Sequence, residues 1–352
     1  MQTANQEDRQ LYAEMVARFL DQQADPHFAQ WEAQGYVDRS FWQAMGEAGM
    51  LAIDLDEAYG GTGADFIITQ DVIEEISRRG YGGVASGYNI HSNIVIPYLS
   101  HLATEAQKQR WLPAMASGEV LGAIAMTEPG AGSDLAAMQT KAEKTADGWL
   151  LNGSKIFITN GLMADLIIVC AKTNPAAGAK GVSLFLVDAS LAGFSRGKPI
   201  KKIGQHSSDT AELFFENMQL PEDALLGEEG KGFAYLMQEL PRERLGVGSQ
   251  ALGAVEGALQ LTLDYVQERK AFNQPIAQFQ NTRFKLAEIK AQLEMARAYF
   301  NLCVAAYRQG EMTTAQAAIL KLQLSEMQCQ SIDTCLQLFG GYGHTTEYPI
   351  WR

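Results

Sequence analysis

The chain has 352 residues, 47% of them hydrophobic, and 28 Lys and Arg against 41 Asp and Glu give a formal net charge of −13. That is apolar material for one large core or two to three smaller ones. The acidic balance, with a pI near 4.9, leaves no clustered cations for a nucleic-acid surface, and the longest apolar runs, such as Leu166 to Ala171, are far below the roughly 20 residues of a membrane span.

Met1 to Gln10 has no apolar stretch behind a basic segment and carries Glu7 and Asp8, so it reads as neither a secretory signal nor an Arg-rich transit peptide. The expected compartment is the cytoplasm, although a processed organellar protein would look the same. From Leu11 to about Ser117 apolar residues recur three and four apart, as in Leu11-Met15-Phe19 and Ile67 to Ile76, which predicts an all-helical first third. The Gly-rich break at Ala58 to Gly63 reads as a structural turn, because no strand precedes it and no GK[ST] follows.

Next comes Ala125-Met126-Thr127-Glu128-Pro129-Gly130-Ala131-Gly132-Ser133-Asp134, directly after an apolar run. Its glycines let backbone N–H groups approach a ligand, and Thr127 and Ser133 add short donors, although a plain Gly-rich connection would look alike. In Trp149 to Thr159 an Asn152-Gly153 pair between two apolar runs predicts a β-hairpin turn. Leu166 to Cys170, Val182 to Val187 and Ala211 to Phe215 continue the pattern of short strands, so residues 122–226 are expected to form a β-barrel or sandwich.

After Gly232 the helical period returns. Leu252, Val255, Leu259, Leu263 and Val266 mark one stripe, Leu286, Ile289, Leu293, Ala296, Phe300 and Val304 a second, and a third helix runs from about Ala315 to Phe339, which predicts an antiparallel bundle. The plan is α+β and multidomain: a helical domain over 1–121, a β domain over 122–226 and a helical domain over 227–352. The four cysteines, Cys170, Cys303, Cys329 and Cys335, read as core thiols, and scattered histidines give a metal site little support.

Glu243 stands out in Glu239-Leu240-Pro241-Arg242-Glu243-Arg244-Leu245. Pro241 suits the first turn of a helix, where a carboxylate is favoured by the dipole. Glu243 is then a capping-turn residue or a general base beside a pocket, with Arg242 and Arg244 able to meet an anionic or carbonyl-bearing ligand. Arg269 to Asn273 closes one helix and is either a dipole-complementing charge or part of a phosphate-bearing cofactor site, and the Gly-rich Gln337 to His344 ends another and reads on its own as a glycine stop.

Taken together, MTEPGAGSD at 126–134, NGSKIFITNG at 152–161, PRERL at 241–245, ERKAF at 268–272 and QLFGGYG with EYP at 337–349 resemble the acyl-CoA dehydrogenase family over the whole given length. The resemblance implies a helical domain, a middle β-domain and a carboxy-terminal four-helix bundle. It also implies FAD and a fatty-acyl-CoA thioester, oxidised at Cα–Cβ to the trans-2-enoyl product while a glutamate removes the α proton and the β hydrogen passes as hydride to flavin N5. By resemblance Ile124, Ala125, Met126, Thr127, Gly132 and Ser133 line the flavin, with Ser133 also near substrate. Phe157, Ile158 and Thr159 take the place of the aromatic-hydroxyl pair against the isoalloxazine. Arg269, Phe272, Gln280, Gln337, Gly340 and Gly341 hold the adenosine diphosphate half across a subunit boundary, implying a homo-oligomer, a dimer of dimers, that passes electrons to an electron-transfer flavoprotein.

Most members carry the base near the carboxyl end; the long-chain and isovaleryl branches place it where Glu243 stands. The setting looks most like the long-chain branch, with Glu243 as base and Arg242 and Arg244 on the substrate side. Asn273 replaces the usual Gly after RKxF and is expected to loosen or redirect the turn contacting the cofactor, and the family's final loop and helix would follow Arg352. An acyl-CoA oxidase, a branched-chain dehydrogenase and a non-catalytic acyl-CoA-binding module are the competing readings.

Overall fold

The computed structural model describes residues 6–352, so the first five residues of the segment weighed for targeting lie outside it. Seven helices open the described chain: α1 (Gln6–Gln23), α2 (Phe28–Gln34), α3 (Arg39–Glu47), α4 (Phe66–Arg78), α5 (Gly82–Tyr88), α6 (Ile96–Leu102) and α7 (Glu105–Ala116). The start of α4 is set by Asp65, whose carboxylate accepts from the Ile67 N–H, and that of α7 by a Thr104/Gln107 capping box, each satisfying N–H groups left orphaned by the helical pattern. Between α5 and α6 the residues Asn89–Val95 wind one π-helical segment, a departure that often accompanies functional sites.

The strands follow: β1 (Gly122–Ala125), β2 (Lys141–Thr145), β3 (Gly148–Thr159), β4 (Leu166–Lys172), β5 (Val182–Asp188), β6 (Phe194–Arg196), β7 (Thr210–Leu220) and β8 (Leu225–Leu226). They make one eight-stranded mixed sheet in the order β6-β7-β3-β2-β4-β5-β8, with β1 parallel to β4. Ala123, Ala125, Ile167, Val169, Phe185 and Val187 fill one core with Trp149, Leu213 and Phe215. Their chain neighbours Ile124, Leu166, Ile168, Cys170 and Leu184 face a second core that includes Tyr98, Leu99, Leu112 and Met115 of α6 and α7. Strand β4 is buried on both faces, which is why it reads as an unbroken apolar run.

The Asn152-Gly153 pair is not a turn. It lies inside the twelve-residue β3, where the register against β7 shifts between Leu151 and Gly153; the hairpin turn is the Ala146-Asp147 connection that joins β2 to β3, pairing Thr145 with Gly148. Gly153 has φ +149, and a Cβ there would stand 2.4 Å from Thr140 Oγ1. The glycine serves a bulge and a close approach rather than a reversal.

The last part holds α8 (Gly232–Glu268), the hairpin β9 (Lys270–Ala271) with β10 (Gln274–Pro275), α9 (Gln280–Arg308) and α10 (Thr314–Leu338). The expected stripes on α8 and α9 are the buried ones, apart from half-buried Leu263 and Ala296. Pro241 does not open a helix: it lies inside the 37-residue α8. The helix gives up the bond that residue 241 would donate, and the buried run from Leu245 to Val266 outweighs that loss. Cys329 is exposed on α10, unlike the other three cysteines. Residues of α1 to α5 and of α8 to α10 share a single core, with Leu20, Trp31, Met45, Ile73 and Tyr88 in the same cluster as Leu252, Val255, Phe300 and Leu324. The two helical stretches, separated in sequence by the sheet, are one packed body. Among the described residues no helix is long and apolar enough to cross a membrane.

Candidate active site

Strand β1 delivers Ile124 and Ala125 to the root of the MTEPGAGSD loop, which is stapled to β3 from beneath. The Ile156 N–H donates to the Thr127 carbonyl at 2.9 Å. Lys155, whose side chain is wholly buried, donates to the Met126 carbonyl at 3.0 Å and to Glu128 Oε1 at 2.8 Å. Glu128 also accepts from the backbone of Gln139 and Thr140; burial pushes its carboxyl up, but these N–H groups and the Lys155 ammonium outweigh that and hold it below its ordinary value. Two backbone bonds between Glu128 and Ala131 then close the loop, and Pro129, Gly130, Gly132 and Ser133 are left exposed at the tip. A Cβ added at Gly130 or Gly132 would meet nothing within 4 Å, and neither residue is left-handed. Nothing in the folded chain itself calls for glycine there.

Beside the loop, β3 ends in Phe157, Ile158 and Thr159. Phe157 has φ +61 and is 61% exposed, a left-handed backbone under a bulky ring that costs about 1–2 kcal/mol. The register of β3 against β7 shifts there, and the bulge turns the ring outward. Ile158 and Ala125 point into the sheet core, so only their backbone is available on this wall. Ile124 faces the second core and Thr159 is half-buried.

The opposite wall is α8. Phe233 and Leu236 from its first turns, Met126 from the loop, and Tyr98, Ile124 and Cys170 all belong to one apolar cluster, so the loop root and the helix share neighbours. Glu243 is half-buried. Tyr98 donates to its Oε1 at 3.0 Å, while one turn earlier Glu239 Oε1 contacts His101 Nδ1 at 2.9 Å. Burial is the main force pushing the Glu243 carboxyl up to about 7, with the Glu239 charge adding to it, while the Tyr98 bond and the Arg244 charge pull it back. Burial raises the Cys170 thiol to about 12, while the Lys155 charge lowers it and the Glu243 and Glu128 charges raise it.

Half-buried Arg244 stands next to Glu243. Arg242 turns elsewhere: about 100° further round the helix per residue, it is buried, with Nη1 2.6 Å from Asp54 Oδ2 and Nε donating to the Asn93 backbone and side-chain oxygens. It thereby lines an adjoining cavity of about 530 Å³ with Phe66, Ile96, Pro97, His101 and Tyr307, and Glu243 is not in that wall.

A second group lies at the far end of α8. Arg269, Gly340 and Gly341 share a cavity of about 360 Å³ with Tyr265, Phe339 and Tyr342, and the Arg269 guanidinium sits 5.9 Å from the Tyr342 ring centre. Phe272, Gln280 and Gln337 line neither cavity; all three are exposed, Phe272 by 91%. The expected loosening at Asn273 is absent: Phe272 and Asn273, with φ +51 and +65, form the two-residue turn of a closed hairpin that pairs Ala271 with Gln274. Asparagine takes the left-handed conformation more readily than other side chains.

Sequence reasoning passed over Tyr98, His101 and Glu239, and assigned no part to Lys155. Only Glu239 carried a signal, four residues before Glu243 and hence on the same helical face.

Comparison with known proteins bears on this arrangement. Models of the acyl-CoA dehydrogenase N-terminal, middle and C-terminal domains match residues 6–119, 123–218 and 230–352. The long-chain specific acyl-CoA dehydrogenase of Sus scrofa is 44% identical over 347 residues, 98% of this chain and 80% of that protein, and the isovaleryl-CoA dehydrogenase of Solanum tuberosum is 36% identical over 97% of this chain and 83% of its own. Among solved structures, an acyl-CoA dehydrogenase from Geobacillus kaustophilus superposes with a TM-score of 0.96 at 42% identity, covering 99% of this chain and 92% of that one. A glutaryl-CoA dehydrogenase from Mycobacterium smegmatis in complex with FADH2 does so at 0.90 and 29%, covering 99% and 88%. With all three domains matched and relatives 36–44% identical over nearly the whole chain, the chain belongs to the acyl-CoA dehydrogenase family of flavin-dependent oxidoreductases.

Proposed function

We propose that this chain oxidises the Cα–Cβ bond of a long-chain fatty-acyl-CoA to the trans-2-enoyl-CoA, with FAD as cofactor and Glu243 as the base that removes the α proton. The observation that carries the reading is the Glu243 carboxylate itself, half-buried on α8, held by Tyr98 and pushed up to about 7, close to the value that suits a base working at neutral pH. The relative with 44% identity is a long-chain enzyme, which favours that substrate class.

The residues present fit FAD. The open glycines at 130 and 132 leave backbone reachable by a ligand, and the outward ring of Phe157 offers a face for a flat aromatic system, its strain repaid on stacking. Bound FAD supplies the acceptor for the hydride leaving Cβ. Ile124, Ala125, Met126, Thr127, Gly132, Ser133, Ile158 and Thr159 complete this wall, with Ser133 reaching toward the thioester. Glu243 takes the α proton and Arg244 sets the charge beside it. Arg269, Phe272, Gln280, Gln337, Gly340 and Gly341 serve the adenosine diphosphate half in a neighbouring copy. The near-complete exposure of Phe272 supports such a boundary, and the family resemblance makes the homo-oligomer a dimer of dimers. An electron-transfer flavoprotein takes the electrons onward.

Glu243→Gln tests the chemistry. Flavin and acyl-CoA should still bind while anaerobic bleaching of the flavin slows by roughly 10⁴-fold; bleaching at the wild-type rate would reject the base assignment. The same assay across an acyl-CoA length series reads the preferred chain, and a maximum at short or branched acyl groups would overturn the long-chain reading.

A further inference from the structure

Tyr98 lies 145 positions from Glu243 in the chain, yet its phenol makes a 3.0 Å bond to Glu243 Oε1. A phenol has one proton to donate, and this one goes to the carboxylate. The ring is wholly buried, and Ile94, Ile96 and Leu99 around it pack in the same cluster as Ile124 and Cys170, so α6 holds the hydroxyl at a fixed depth. Burial and the nearby Glu243 charge both push the Tyr98 ionisation upward; the residue remains a donor and does not compete for the substrate proton.

Resting on the reading of Glu243 as base, the geometry points to Tyr98 as a positioning residue for this reaction: its hydroxyl pins Oε1, leaves Oε2 as the proton-accepting oxygen, and favours the ionised carboxylate. A carboxylate on a helix can rotate about its last bonds, and a base that must meet one C–H bond gains from being held in one orientation. A hydrogen bond to the charged form also opposes the burial that favours the neutral one. The other groups facing Glu243 are Glu239 and Arg244 on α8, Cys170 on β4 and, behind Cys170, the Lys155–Glu128 pair; His101 on α6 acts through Glu239. None of these depends on the Tyr98 hydroxyl, so removing that hydroxyl is read against a constant background.

The test uses the full chain with FAD, mixed anaerobically with palmitoyl-CoA over a pH series. Tyr98→Phe should keep flavin absorbance and KM, slow flavin reduction at neutral pH by about tenfold or more, and move the acid limb of the profile up by roughly one pH unit. Replacing Tyr98 by 3-fluorotyrosine, a stronger donor of the same shape, should move that limb down. An unchanged rate and limb in Tyr98→Phe, or a pH-independent loss matched by a rise in KM, would show that Tyr98 only fills space. Should Tyr98→Phe not retain flavin, the fluorotyrosine protein decides alone, and a limb that stays put overturns the proposal. Glu243→Gln separates the two levels: if it bleaches normally, base and Tyr98 assignments fall together, whereas a slow Glu243→Gln with a normal Tyr98→Phe removes only the latter.

Discussion

On the sheet side of the site Gly132 stands where an added methyl would touch nothing, and Phe157 holds a strained backbone with its ring in solvent. On the helical side Glu243 is bonded to Tyr98, and Arg242 beside it is locked to Asp54 and Asn93. The first wall carries residues that the fold does not use; the second embeds its functional group in bonds that the fold does use. Binding and stability should therefore separate on the loop tip and run together at the loop root and on the helix.

Lys155→Met should show the largest effect on stability. It leaves the Glu128 carboxylate 5% exposed and without its cation, which costs about 3–5 kcal/mol, read as a fall in thermal midpoint with loss of flavin. An unchanged midpoint would mean that the loop root is not held by this pair. Gly153→Ala comes next. At φ +149 with Thr140 Oγ1 2.4 Å from the new Cβ, it should destabilise by about 1–3 kcal/mol, and chemical denaturation without such a shift would argue against the bulge.

The pH dependence concerns the helical wall alone. A base must be ionised, and the Glu243 carboxyl is raised to about 7, so the rate of flavin reduction should fall tenfold per unit below pH 7 and level off above it. An acid limb near the ordinary carboxylate value would mean that Glu243 is not the titrating base. Gly132→Ala sharpens the contrast by its small effect: stability should stay within about 0.5 kcal/mol while FAD dissociates more readily in a fluorescence titration. Equal losses in both would show that the glycine serves the fold after all.

The helical, strand and helical order was legible because the apolar periods of 3.6 and 2 are local properties. The reading went astray where local rules were overruled from outside the segment. Asn152-Gly153 has the residues of a two-residue turn, but β7 lies alongside and pairs across it as one strand with a bulge. Pro241 looks like a helix start, yet the packing of α8 carries the helix through. Asn273 was legible only as a departure from glycine, and its ability to adopt a positive φ let the hairpin close regardless.

Five separated motifs sufficed for the sequence alone to point to the family, since each motif is a run of neighbours legible in one dimension, and the flavin-loop role of MTEPGAGSD and the base role of Glu243 followed only as what that resemblance implies. The tertiary structure alone decided the company those residues keep. Tyr98 at Glu243, Lys155 beneath Met126 and Glu128, and Arg242 turned toward Asp54 are contacts between elements 27 to 188 positions apart. Burial and bonding of that kind, which set the environment of the Glu243 carboxylate, come into being only when separate elements share one core.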